Sequence, residues 1–484
     1  MTLLIVALLA TCLIAASAAG GPVAFADPKD QQILDGFLVH AANVAEELSP
    51  ERCRELAKED AEETEAYLWR VLPYLRMPLV AYEFTRDPKY LDVFVQAFEN
   101  MRGAMTKGPD GFLGWYGSID PDYADPANPN VKLDAIISSF GVTEAVCDFL
   151  SLTAEDPALE RKYAKQRTEY LDLVENQLVR KHDVRGDYVD LGKGGAIYRM
   201  PLQGLKQDYC ARLTMPHNKH DIIMRGFLAL YRVTGKDEYM RRAIKLGIRY
   251  KHCLTLKDGH YEWYYWDPAG AWDVKPDVSA VSRGGAAASL RPDAAASPHD
   301  TAVRREWKHW MGPEHRSGYY SLSLSQAVLL YQYGLAFDKT DMDRFVKTQL
   351  EMCWNGDSEH PVWSRVDGTR PERYTQGAYI ASALAPFSEK VAQYLFTGRR
   401  QERLLAHMDD SWSGGVQAAG WLRAKLIDYP AAKGGKQPYL KYGQQFLAKK
   451  ENRDFLNSLA FEVTAPGYQP PHTPGEMKDM PRDR

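Results

Sequence analysis

The stretch ALYRVTGKDEYMRRAIKLG, Ala229 to Gly247, decides the fold. It reads as an apolar helix end, a short turn carrying Thr234 and Gly235, and then a charged amphipathic helix. Tyr239, Ala243, Leu246 and Tyr250 recur at helical spacing, with Lys and Arg on the other face. The same design returns in AYEFTRDPKYLDVFVQAF (Ala81 to Phe98), SLTAEDPALERKYAKQRTEYL (Ser151 to Leu171) and QYLFTGRRQERLLAHM (Gln393 to Met408). A looser copy is LLYQYGLAFDKTDMDRFVKTQL, Leu329 to Leu350. Asp87-Pro88 and Asp156-Pro157 read as helix starts, because an Asp side chain accepts the free N–H groups and Pro suits the first helical position. The chain is therefore expected to be all-α.

Two-helix units spaced by ~60–100 residues fit no short solenoid, whose repeats run to roughly 34–47 residues. They suit concentric pairs, with apolar inner helices and charged outer ones joined by long loops on one face. An irregular helical array is the plainer alternative. The pattern resembles the (α/α) toroid of many glycan-active enzymes, which implies five to seven hairpins in one domain spanning 27–463. Two stretches break it. Pro276 to Pro298 is rich in Ala, Ser, Gly and Pro without a helical stripe, and reads as a flexible insertion: a lid or an inert excursion. The tail 464–484 is Pro-rich and polar, as extended chain is.

Bulk composition narrows the function classes. Of 484 residues 45% are apolar and 26% charged, which suits a globular chain with a large core. A net charge of −4 lacks the basic excess of a nucleic-acid binder, and no nucleic-acid module is present. Leu3 to Ala19 is a nearly unbroken apolar run, and Ala24-Phe25-Ala26 is an A-x-A site, so residues 1–26 read as a signal peptide. A cut after Ala16-Ser17-Ala18 is the alternative, and a basic n-region is missing. The expected location is secreted or periplasmic. No later run approaches the ~20 apolar residues of a membrane span. Removing Cys12 leaves five widely spaced cysteines, read as buried small residues with room for one disulfide.

Chemistry concentrates in two segments. In TMPHNKHDIIMRG, Thr214 to Gly226, His217, Asn218, His220 and Asp221 crowd the first turns of an apolar helix capped near Thr214. His217 and Asp221 stand four apart, so the carboxylate is placed to orient the imidazole. A helix N-terminus also favours an anion. The bland reading is a capping cluster. A metal at His217, His220 and Asp221 lacks a recognised motif, and neither metal nor cofactor is expected. The second segment runs from Trp307-Lys308-His309-Trp310 into Glu314-His315-Arg316-Ser317-Gly318-Tyr319-Tyr320. With Ser317 as N-cap, Tyr320 falls in the first turn near Arg316, where cation and helix end would lower its pKa and make it a base. Core packing is the commoner fate of such tyrosines. Glu262, Trp263 and Tyr265, with Trp115 and Tyr116, lie in loop-like aromatic stretches suited to stacking on sugar faces or to packing a helical centre. No dinucleotide, Walker, α/β-hydrolase or HExxH motif appears.

On these residues the chain resembles an (α/α)-toroid polysaccharide lyase of the alginate or glucuronan lyase type. The resemblance implies β-elimination on a uronate-containing, anionic polysaccharide. Asn218 would neutralise the carboxylate, His217 would be the adjacent histidine, Tyr320 the phenol and Arg316 its cation. His315 and Tyr319 would contact substrate beside them. Related lyases commonly read Asn then His; here His217 precedes Asn218, and the base is left between His217 and Tyr320. The rivals are a glycoside hydrolase, with carboxyl candidates Asp208, Asp221, Glu262 and Asp267, a uronate C5-epimerase, and a non-catalytic glycan-binding protein.

Overall fold

A computed structural model describes residues 27–59, 66–275 and 307–459, with breaks at 118, 120–122, 129, 203, 207–208, 315–317, 358, 371–380, 409–411 and 429–436. The expected signal peptide 1–26, the insertion 276–298 and the tail 464–484 all lie outside these residues, as do His315 and Arg316. What is described is all-α apart from three small antiparallel hairpins.

After α1 (Pro28–Glu47) and α2 (Pro50–Glu59), each of the five sequence echoes is a helix, a short turn and a helix. The first joins α3 (Ala66–Thr85) to α4 (Lys89–Gly103), and Asp87 accepts the Lys89 N–H at 3.0 Å. The second joins α5 (Ile136–Ala154) to α6 (Pro157–Lys162) and α7 (Ala164–Leu173), with Asp156 accepting the Ala158 N–H at 2.7 Å. A π-turn and the short α8 (Arg180–Val184) prolong that arm. The third joins α9 (His217–Thr234) to α10 (Asp237–His252) through Gly235, whose φ of 66° is the left-handed conformation glycine takes without strain. The fourth joins α11 (Gly318–Gln332) to α12 (Lys339–Lys347), where Asp338 and Asp341 form a capping box. The fifth joins α13 (Glu389–Leu395) to α14 (Gly398–His407). Beyond it lie α15 (Trp412–Leu422), α16 (Leu440–Ala448) and α17 (Lys450–Ser458).

The first helices of the early pairs are interior. Every residue of α5 from Ile136 to Leu150 is buried, and α9 is buried from its first turn to Tyr231 but for Lys219. α5 packs between α3 and α9, and α9 packs on α11 as well as on its own partner α10. Gly226 makes the α5–α9 approach close: a Cβ there would stand 2.9 Å from the Phe140 carbonyl oxygen. Contrary to the expectation that no such run follows the N-terminus, α5 is long and apolar enough to cross a membrane, yet 94% of it is buried inside the protein. It is a core helix.

The connections leading back to interior helices are long and carry the strands. β1 (Thr106–Lys107) pairs β2 (Leu113–Gly114) before α5, β3 (Tyr188–Asp190) pairs β4 (Ala196–Tyr198) before α9, and β5 (Thr255–Lys257) pairs β6 (His260–Glu262) before α11. These loops are stitched together. Lys206 donates to the Tyr123 carbonyl at 2.9 Å, Thr214 to Asp273 at 2.8 Å, and Val366 to the Glu314 carbonyl at 3.2 Å. All five cysteines of the described residues are free thiols, four of them buried. The disulfide left open by the sequence is absent among them.

Candidate active site

The site is built at the N-terminus of α9, where the loop layer meets the interior helices. The sequence placed the cap at Thr214 or a neighbour; Pro216 stands at the N-cap position with no side-chain cap, and Thr214 is an anchor. Its N–H and hydroxyl reach the two carboxylate oxygens of Asp273, each at 2.8 Å. Trp266 Nε1 donates to its carbonyl at 2.7 Å, and Trp272 Nε1 to its hydroxyl at 2.9 Å. That lock fixes where the next residues of α9 begin.

His217 is 3% exposed and Asn218 1%. His217 Nε2 lies 3.0 Å from Asp267 Oδ2. A carboxylate accepts, so Nε2 donates and Nδ1 is left buried without a partner. The sequence paired His217 with Asp221 instead. Asp221 points inward, toward Ser325 of α11 and Arg225, and burial pushes its carboxyl up to about 7. Both amide atoms of Asn218 are buried and unpartnered. His220 serves the fold, since its Nε2 accepts the Tyr198 N–H at 3.0 Å and so ties β4 to α9. Burial, helped by His217, drives its pKa down to about 3, so it stays neutral.

The two segments picked out by sequence do meet. Gln326 of α11 donates to the His217 carbonyl at 3.4 Å. Between them stands an aromatic wall: Tyr250 lies edge-on to His217 with ring centroids 5.2 Å apart, and Trp263 stacks on Tyr320 at 5.6 Å. Tyr250 and Trp263 are themselves in edge contact. The Tyr320 hydroxyl donates to Gln349 Oε1 at 2.8 Å, whereas the buried Tyr250 hydroxyl has no partner. Burial drives both phenols well above their ordinary pKa, the reverse of the lowering expected for Tyr320. Each therefore holds its proton and suits an acid rather than a base.

The remaining candidates fall in other places. Trp263 is buried in the wall and not displayed on a loop; Glu262 is engaged with Lys257 at 3.1 Å and His260 at 3.2 Å. Tyr265 is half-buried, with Tyr319 5.7 Å and His309 5.8 Å from its ring. Trp115 is buried, its Nε1 donating to the Met101 carbonyl at 2.9 Å. Tyr116 belongs to a charged cluster in which Arg185 bridges its hydroxyl at 2.8 Å to Asp134 at 2.6 Å and Asp110 at 2.7 Å. Of the carboxyls considered for hydrolysis, Asp208 lies outside the described residues.

Sequence reasoning misses three participants. Tyr250 reads there only as part of an apolar stripe. Asp267 reads as a candidate hydrolytic acid and is the partner of His217. Glu314, fully buried, accepts from Ser323 at 2.9 Å and acts electrostatically on both Tyr250 and Tyr320. A carboxylate just ahead of an apolar helix is the available signal for Glu314. No family model, curated protein or solved structure matches this chain.

Proposed function

We propose that this protein is an exported polysaccharide lyase that cleaves a uronate-containing, anionic glycan by β-elimination, on hairpins arranged as an (α/α) toroid. The observation that carries it is the unpartnered Asn218 amide beside a histidine whose Nε2 is tied to Asp267 and whose Nδ1 is open. The C5 proton of a uronate leaves only if charge growing on its carboxylate is stabilised in place. The Asn218 amide would receive that carboxylate, and the α9 N-terminus favours it. His217 Nδ1 would take the proton, with Asp267 stabilising the imidazolium. A positioned base of this kind contributes about 10²–10⁴ in rate. Tyr250 or Tyr320, kept protonated by burial, would protonate the departing oxygen.

The test is a panel of uronans and neutral glycans read by ultraviolet absorbance of the unsaturated product and by chain length. Absorbance growth on a uronan is expected. Saturated ends alone would point to a hydrolase. Deuterium uptake from solvent without shortening would point to an epimerase, and binding without any product to a glycan-binding protein.

A further inference from the structure

His217, Cys253 and Asp267 come from three separate elements and place their donor atoms within 4.8 Å of one another. His217 opens α9, Cys253 closes α10, and Asp267 follows β6 in the loop layer. The imidazole Nε2 lies 3.0 Å from Asp267 Oδ2, and the Cys253 thiol hydrogen-bonds the same carboxylate. Two protons thus converge on one carboxylate at the centre of the trio. From this geometry we infer that the trio is a site for a thiophilic divalent cation of the zinc class.

Zinc binds sulfur at about 2.3 Å and nitrogen or carboxylate oxygen at about 2.0–2.2 Å, which sets ligand atoms roughly 3–4 Å apart. The trio closes onto such an ion with a shift of about 1 Å. One sulfur, one nitrogen and one oxygen donor suit zinc or cobalt; calcium and magnesium take oxygen sets. Asp267 is held from behind, since Arg249 donates to its carbonyl at 3.4 Å and to that of Pro268 at 2.8 Å. His217 and Asp267 are more than nine-tenths buried, and Cys253 is partly buried beside them. A fourth position is left for water or substrate, as in zinc sites that do chemistry.

The proton count is definite. The thiol loses its proton to solvent and becomes the sulfur ligand. The net change is one divalent ion bound and one proton released, so binding tightens as pH rises.

The experiment is a cobalt titration of chelator-stripped, full-length protein, followed by zinc competition. One cobalt per chain is expected, with a near-ultraviolet sulfur-to-cobalt charge-transfer band that zinc abolishes. Cys253→Ser should lose the band and at least tenfold in affinity, while Cys210→Ser, a buried thiol elsewhere, should keep both. Circular dichroism melts of each variant separate lost binding from lost folding, and the wild-type stoichiometry stands without any variant. A wild-type protein that takes up no stoichiometric cobalt, or an unchanged titration in folded Cys253→Ser, overturns the assignment. Uronan turnover is scored apart from metal uptake. Stoichiometric binding without elimination would keep the site and sink the lyase reading; elimination with no binding would do the reverse.

Discussion

Two buried polar clusters share α9 and differ in kind. Around Arg225, Glu144 of α5 receives Arg225 Nη2 at 2.8 Å and Nε at 3.0 Å, and pairs also with Arg76 of α3. Burial raises that carboxyl, but the two guanidiniums outweigh it and hold it down at about 2. One to two turns earlier, Asn218 has no partner, His217 keeps one open nitrogen, and Asp221 is driven up to about 7. A buried polar group left unsatisfied costs about 1–3 kcal/mol. The first cluster pairs its charges with one another and braces three interior helices. The second is open, with the Asn218 amide and one His217 nitrogen unpartnered.

That contrast can be broken most forcefully at Glu144. Glu144→Gln strands two buried guanidiniums and should destabilise the fold by about 3–5 kcal/mol, read by denaturant unfolding. The same group gives an acid limb. Its folded pKa lies below its unfolded value, so the stability it contributes is complete above about pH 4.3 and is lost as pH falls toward 2. Wild type should lose stability across that window, and Glu144→Gln should show a shallower slope.

At the open cluster the expectation inverts. His217→Gln and Asn218→Ala should each lower turnover on a responsive uronan by about 10²–10⁴, in the range of a positioned base or donor. The unfolding free energy of Asn218→Ala should stay within about 1 kcal/mol of wild type, because Asn218 gives up no existing hydrogen bond. A loss at Asn218 as large as that at Glu144 would erase the distinction between the clusters.

Asp221 tests the boundary between them. Its folded pKa is raised, so the folded protein holds a proton the unfolded chain has released, and stability falls as pH climbs from about 4 to about 7. Asp221→Asn should remove that slope, gaining on wild type at pH 8 and not at pH 4 in thermal melts. The smallest effect belongs to the phenols. Tyr320→Phe should cost about 1 kcal/mol for its bond to Gln349, whereas Tyr250→Phe forfeits no hydrogen bond and should be visible in turnover alone.

The helical hairpins are legible in sequence because their causes are local. Asp156 caps through its own neighbours and Gly235 turns through its own φ, and both can be read from the residues around them. The paired cluster leaves a fainter trace: Glu144 and Arg225 are charges inside otherwise apolar helices, a pattern that asks for partners without naming them. At the site, residue types are readable and partners are not. His217 and Asp221 satisfy the i, i+4 rule, yet α9 is enclosed on every side, so neighbouring residues face different elements.

The sequence by itself therefore determined that this chain is built of apolar helices, each turned sharply into a charged one, and that His217, Asn218 and Tyr320 lie at helix starts. Only the tertiary structure decided what surrounds them. It gave His217 an aspartate fifty positions away, set Cys253 against the same carboxylate, and raised the tyrosine pKa that local charge alone would have lowered. The reason is physical. Helix periodicity and capping act within a few residues, whereas desolvation and the pairing of buried groups depend on which distant segments exclude water from them.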